Sequence, residues 1–301
     1  MEGTVKPTIS HRIEYGLLRA VAFLTAILPV RWALAAGSAL GWLAWNLLGI
    51  RKTVTLRNLR QAFSGKTDRE LSGIGLESYR NAGRFMMEFI RQGKMNRSYV
   101  RDHVKIPPEE LEKISKLEGA LIITSHFGNW ELLGIAFSYY LGDVSFLVGR
   151  QSNCLVDDYI NRMRSDHGVQ LYNRRSAVKG VVESVRKGGY VCWLSDQDAG
   201  ESGVVVDFFD YPASTPRGAA VFAVKLNVPI VPAVIVRKGG GPDHELVTGK
   251  VLYPDGELSR EEAEKRITRS YTAFFEKMIE RYPELYWWPH RRWKTTGMYR
   301  S

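Results

Sequence analysis

Two cysteines in 301 residues, Cys154 and Cys192, are too few and too far apart for a CxxC pair or a cysteine-built metal cluster, so a disulfide scaffold and a zinc fold are both excluded. Other signatures are missing too. No G-x-S-x-G marks a nucleophile elbow, no H-E-x-x-H a zinc protease, no Walker loop a nucleotide, and no recognisable nucleic-acid motif accompanies the charge. Internal repeats, low-complexity tracts and long linkers are absent as well. Acidic residues are also comparatively few. With 32 Asp plus Glu against 42 Lys plus Arg the net charge is +10, which favours anionic partners such as phospholipid headgroups, phosphorylated glycolipids or acidic carrier proteins. A hydrophobic content of 45% supports a substantial core.

What the chain does have in quantity is apolar sequence at its start. Tyr15–Leu28 is apolar apart from Arg19, Pro29 and Arg31 interrupt the run, and Trp32–Ile50 is uncharged until Arg51 and Lys52 close it. The second run approaches the roughly 20 residues that a bilayer crossing needs, and its tryptophans and trailing cations suit an interface with a cytoplasmic exit. The expectation is a helical membrane anchor over residues 1–52. A cleaved signal peptide is the alternative, since Ala33-Leu34-Ala35 has the form of a cleavage site.

From Arg57 to Arg101 the pattern is helical, with Phe85, Met86, Phe89 and Ile90 on one stripe and Arg91, Lys94, Arg97 and Arg101 forming a basic face. Beyond Pro107-Pro108, strands and helices alternate. Strands are predicted at Ala120–Thr124, Val144–Val148, Val169–Tyr172, Tyr190–Leu194 and Pro229–Val236. Helices are predicted at Glu131–Leu141, Leu155–Asp166, from Ser176 to Lys187, opening at Thr215-Pro216 with the proline in the first turn, and from the capping box Ser259/Glu262 to about Arg281. Such alternation predicts an α/β fold with a mostly parallel central sheet flanked by helices, a single catalytic domain over residues 53–301, and active residues at the carboxyl ends of the strands.

One segment reads as chemistry. Ser125-His126-Phe127-Gly128-Asn129-Trp130-Glu131 leaves the strand Ala120–Thr124 and enters a helix. Histidine accepts a proton near neutral pH, and a carboxylate on its other ring nitrogen fixes the tautomer and steadies the imidazolium. On one continuous helix a spacing of five sets two side chains about 140° apart. His126 therefore belongs on the turn before the helix, where Gly128 permits the bend, with Glu131 expected as its orienting carboxylate. Asn129 and the amides at Gly128 are candidate oxyanion donors, or simple helix caps.

The His-x-x-x-x-Glu block resembles the signature of the late acyltransferases of lipid A biosynthesis, the lauroyl and myristoyl transferases of the lysophospholipid acyltransferase superfamily. Further blocks match in order: Arg150–Gly168 with Arg162-Met163-Arg164, then Asp196-Gln197-Asp198 with Gly200, then Phe208-Phe209 with Thr215-Pro216, and finally Trp287-Trp288-Pro289-His290-Arg291-Arg292-Trp293-Lys294. Trp293-Lys294 stands where such enzymes often have Phe-Lys. The resemblance implies transfer of an acyl group from acyl carrier protein or coenzyme A to a hydroxyl of a membrane glycolipid, foremost a lipid A precursor, with no cofactor and no metal. It places the protein at the bacterial inner membrane with its catalytic domain on the cytoplasmic side. It also implies a functional arginine at Arg162 and aspartate at Asp196. Arg162, assisted by Arg150 or Arg164, is expected to bind substrate phosphate through paired hydrogen bonds, and Trp287, Trp288 and Trp293 with their basic neighbours to reach headgroup level or form a core edge. Acylation of a phosphatidylinositol mannoside or another lipid fits the same residues. A hydrolase lacks its elbow here, and a non-catalytic membrane-surface or nucleic-acid binder has no need of His126 and Glu131.

Overall fold

A computed structural model describes residues 7–173 and 176–299. Helix α1 (Ile9–Ile27) opens it, capped by Thr8, whose side chain accepts from the His11 amide at 3.2 Å. Leu28-Pro29 ends that helix, since the residue before proline is driven out of the helical region. Helix α2 (Val30–Asn46) follows. The expected membrane anchor is thereby overturned: the apolar sequence is split into helices of 19 and 17 residues, and among the described residues no helix is long and apolar enough to cross a membrane.

Much of the second apolar run serves internal packing instead. Helix α3 (Lys52–Ala62) leads to the long α4 (Asp68–Ile90), whose Thr67/Glu70 capping box is formed on both sides. Ala33, Leu34 and Trp45 of α2 are buried, and α2 lies along α4 with backbone nearly touching backbone. A Cβ on Gly37 would strike the carbonyl oxygen of Gly83, one on Gly83 the oxygen of Gly37, and one on Gly41 the oxygen of Tyr79. Small residues that look compatible with a lipid span are in fact the contact surface between two helices of the fold.

Helix α5 (Arg97–His103), the short β1 (Val104–Lys105) and α6 (Pro108–Ser115) precede the central β2 (Ala120–Thr124). Then come α7 (Trp130–Leu141), β3 (Val144–Val148), α8 (Cys154–Ser165), β4 (Gln170–Asn173), α9 (Ala177–Arg186) and β5 (Tyr190–Leu194). The hairpin β6 (Val204–Phe208) and β7 (Tyr211–Thr215) leads to α10 (Gly218–Leu226), β8 (Ile230–Arg237), β9 (His244–Thr248) and α11 (Arg260–Arg281). Seven strands form one sheet in the order β1-β9-β8-β2-β5-β3-β4, parallel except where β9 runs against β8. The parallel sheet and flanking helices agree with the alternation in sequence. The hairpin does not, because Thr215-Pro216 closes a strand before the next helix begins at Gly218.

Every residue of β2 is buried, as a strand with helices on both faces must be. Leu121 and Ile123 pack on one side of the sheet, with Val191 and Tyr271, while Ala120 and Ile122 pack on the other, with Leu133 and Phe137. Burial of each such aliphatic side chain contributes about 1.5–3 kcal/mol.

An ionic link fastens α4 to the carboxyl end of β8. Glu88 and Arg237 are fully buried and paired, Nη1 to Oε1 at 2.8 Å and Nη2 to Oε2 at 2.5 Å. Burial alone would raise the Glu88 carboxyl, but Arg237, His244 and the hydrogen bonds from Arg237 and Asn129 hold it below the usual range. His244 lies beside the pair, its Nδ1–H donating to the Pro242 carbonyl at 2.7 Å. Burial pulls this imidazole from 6.5 down to about 4.

Two outcomes follow for stability. Gly83→Val forces α2 off α4 and is expected to cost about 1–3 kcal/mol in denaturant unfolding. For His244, the unfolded chain takes up a proton below pH 6.5 while the folded chain resists until about pH 4. Its contribution is therefore complete above pH 6.5 and is lost as the pH falls towards 4. Urea titrations at several pH values are expected to show a flatter acid limb for His244→Asn than for the wild type.

Candidate active site

β2 and β5 are parallel neighbours with Thr124 paired to Leu194, and the Ser195 amide extends the ladder by donating to the Thr124 carbonyl at 3.0 Å. His126 and Asp196 each stand two residues beyond that last pair, so the register carries both out of the sheet side by side. The His126 ring Nδ1 lies 2.8 Å from Asp196 Oδ1, and the His126 backbone N–H donates to Oδ2 at 3.1 Å. One residue thus engages both oxygens of the carboxylate. An ionised carboxylate only accepts, so Nδ1 carries the proton and Nε2 is left as the acceptor nitrogen. Asp196 is buried, which by itself raises its carboxyl, but the His126 charge, its two hydrogen bonds and Arg292 outweigh burial and hold it below the usual 3.8. Trp130 lies edge-on to the imidazole at 4.8 Å between ring centres and is itself packed against Phe85, tilted by 33° at 4.1 Å.

Glu131, expected to orient His126, goes elsewhere. Its carboxylate takes a paired bond from Arg164 of α8, Nε to Oε2 at 3.0 Å and Nη2 to Oε1 at 2.5 Å. Asp196, which the resemblance implied to be a functional aspartate, holds the position on the ring. Arg162 is exposed and does not line the cleft. Two positions on a helix are about 200° apart, so when Arg164 faces inward Arg162 must face out. Arg150 is exposed just beyond β3, between Gly149 and Gln151, which form part of the rim.

The oxyanion candidates are otherwise engaged. Gly128 has φ +60°, and a Cβ there would strike the Ile235 carbonyl; its amide donates to the Leu285 carbonyl at 2.9 Å. Asn129 caps α7, accepting from the Leu132 amide at 2.9 Å, and its Nδ2 donates to Glu88 Oε2 at 2.7 Å. Turn and cap serve to hold the segment His126–Glu131 still. The carboxyl-terminal block is the core edge rather than a headgroup contact at Trp288, Arg292 and Trp293, all of which are buried. It is pinned to the third block by Asp198, which accepts from the Thr295 amide at 3.0 Å and hydroxyl at 2.8 Å.

His126, Glu131, Arg164 and Gln197 are among the polar residues that line a cleft of about 650 Å³. Phe85, Met86 and Phe89 of α4, Phe146 of β3 and Cys192 of β5 give it an apolar interior. Burial pushes the Cys192 thiol far up, so it is not the thiolate that covalent acyl transfer through sulfur demands. An oriented base at the mouth of an apolar cleft can activate a hydroxyl beside a hydrocarbon chain. Gln197 is a further residue of the site, and the signal for it was its place inside the Asp-Gln-Asp block.

Residues 4–295 match the family described as bacterial lipid A biosynthesis acyltransferase. The chain is 26% identical over 286 residues to a lipid A biosynthesis lauroyltransferase of Escherichia coli K12, covering 91% of this chain and 89% of that one. It is 25% identical over 285 residues, with the same coverage, to a lipid A biosynthesis palmitoleoyltransferase of the same organism. Similarity to a phosphatidylinositol mannoside acyltransferase of Mycobacterium tuberculosis CDC 1551 is 26% over 181 residues, 55% of this chain and 54% of that one. The chain belongs to the bacterial lipid A biosynthesis acyltransferase family, and is an acyltransferase.

Proposed function

We propose that the protein transfers a fatty acyl group from the thioester of acyl carrier protein or coenzyme A to a hydroxyl of a membrane glycolipid, a lipid A precursor foremost. The observation that carries this reading is the His126–Asp196 pair, which leaves Nε2 as the base beside an apolar cleft of about 650 Å³. Nε2 takes the proton of the acceptor hydroxyl as its oxygen attacks the thioester carbonyl. The carbon–oxygen bond forms, the carbon–sulfur bond breaks, and the imidazolium returns the proton to the departing sulfur. Asp196 steadies the imidazolium throughout. The thioester is already activated, so this chemistry calls for no metal and no cofactor beyond the donor.

In the same reading Arg164, braced by Glu131, faces the negative charge of the carbonyl oxygen or of a substrate phosphate, and Gln197 lines the same cleft. Arg150 is placed to receive the donor at the rim. The hydrocarbon tail fits the interior between Phe89, Phe146 and Cys192. The mycobacterial relative supports a second acceptor, a phosphatidylinositol mannoside.

The acceptor is met at a lipid surface, which we place at the cytoplasmic face of the bacterial inner membrane. Support comes from the apolar residues that α1, α2 and the turn after them leave exposed, among them Leu17, Leu24, Ile27, Trp32, Leu47 and Leu48, with Arg51 and Lys52 following.

Purified protein given acyl carrier protein or coenzyme A thioesters with a lipid A precursor is expected to yield an ester-linked acyl product by mass spectrometry. His126→Ala and Asp196→Asn are each expected to lower the rate about 10²- to 10⁴-fold. Near-normal transfer by a folded His126→Ala protein would overturn the assignment. Arg164→Lys, which loses the paired geometry, is expected to lower transfer at least about ten-fold. Arg162→Lys should leave it within about two-fold. The reverse order would place the functional arginine at Arg162.

A further inference from the structure

The end of α4 separates two hollows. Phe89 faces the active cleft, whereas Ile90, Arg91 and Lys94 line a different hollow of about 630 Å³, walled by Phe23 and Ala26 of α1 and Met163 of α8. On α8 the same division falls between Met163 and Arg164. The two hollows share walls but no lining residue. Arg91 and Lys94 also border a smaller cavity of about 180 Å³, with Tyr99 on its side.

This second region is built around unmet polar groups. Arg91 Nη1 and Tyr99 Oη are both buried without a hydrogen-bond partner among the described residues. Buried donors of this kind are costly unless something pairs with them, and a cation more so. The acids nearby do not answer the need: the Glu88 carboxylate is taken by Arg237 and Asn129, and Asp166 is exposed at the edge of the larger hollow. Arg19, also at that edge, donates to the Tyr15 hydroxyl at 3.0 Å. An occupant must therefore supply negatively charged oxygen at one end. It must also supply hydrocarbon, because the wall beyond the cations is Phe23, Ala26, Ile90 and Met163, of which Phe23 is exposed. A free anion would leave that wall uncovered, and an uncharged lipid would leave Arg91 unpaired.

We propose that this hollow binds an anionic membrane phospholipid, with its phosphate at Arg91 and Lys94 and an acyl chain along Phe23, Ala26, Ile90 and Met163. The site is separate from the cleft that holds His126, and the proposal does not depend on the reaction there. Guanidinium and ammonium groups match phosphate oxygens.

The test incubates the full chain with phosphatidylcholine vesicles with or without phosphatidylglycerol, then measures lipid retained on the protein by native mass spectrometry. Wild type is expected to retain phosphatidylglycerol preferentially. The double variant Arg91→Gln/Lys94→Gln should lose at least about ten-fold of that retention. Arg97→Gln/Arg101→Gln removes the same charge outside the hollow, where Arg97 lies over Tyr139 and Arg101 pairs with Asp102, and should stay within about two-fold. Phe23→Asp, which keeps both cations, should also lose retention, and excess inorganic phosphate should not displace the lipid. Circular dichroism and turnover of a soluble thioester check that the variants remain folded. Equal losses in both double variants, equal retention of the two lipids by wild type, or full displacement by phosphate would each overturn the proposal.

Discussion

The parallel pairing of β2 with β5 is the constraint on which the site depends. Because Thr124 faces Leu194 and the two chains leave the sheet in the same direction, residues at equal offsets beyond the last pair become neighbours. His126 and Asp196 are such residues, and the bond between them needs no long side chain to reach across a gap. A shift of one residue in this register would turn every side chain of β2 to the opposite face of the sheet. The burial of all five β2 residues is therefore also what secures the geometry of the His126–Asp196 pair.

Around that pair the fold uses charge in two distinct ways. Glu88 and Arg237 form a buried pair whose role is mechanical: it joins α4 to the end of β8 and, through Asn129, to the first turn of α7. Removing one member of such a pair leaves the other charged and unpaired in the interior. Glu131 and Arg164 form a second pair that stands at the cleft, where the guanidinium remains partly accessible. Helix α4 connects these functions, since it carries Glu88 and the aromatic wall of the cleft, and the cations of the neighbouring hollow follow directly after its last residue, Ile90.

The amino-terminal helices show how the same composition serves different ends. Ala33, Gly37 and Gly41 read as part of an uninterrupted apolar run, yet they lie against α4, where only small residues let the backbones meet. The residues between them, such as Trp32 and Leu40, remain exposed. Hydropathy averaged along a window does not distinguish these two faces.

The sequence by itself determined the strands at Ala120–Thr124 and Tyr190–Leu194, the capping box at Ser259, the mostly parallel α/β class and the place of His126 on the turn before α7. Each of these depends on local periodicity, on turn chemistry or on a motif contained in a few residues. Only the tertiary structure decided that Asp196 rather than Glu131 holds the imidazole, that Arg164 rather than Arg162 faces the cleft, and that α2 belongs to the core packing. The first depends on which strands are neighbours, and β2 and β5 are separated in sequence by two further strands. The second depends on the rotational phase of one helix against a sheet, and the third on a partner helix many residues away. None of the three is a property of a local window, because long-range pairing is chosen by the burial of the whole sheet.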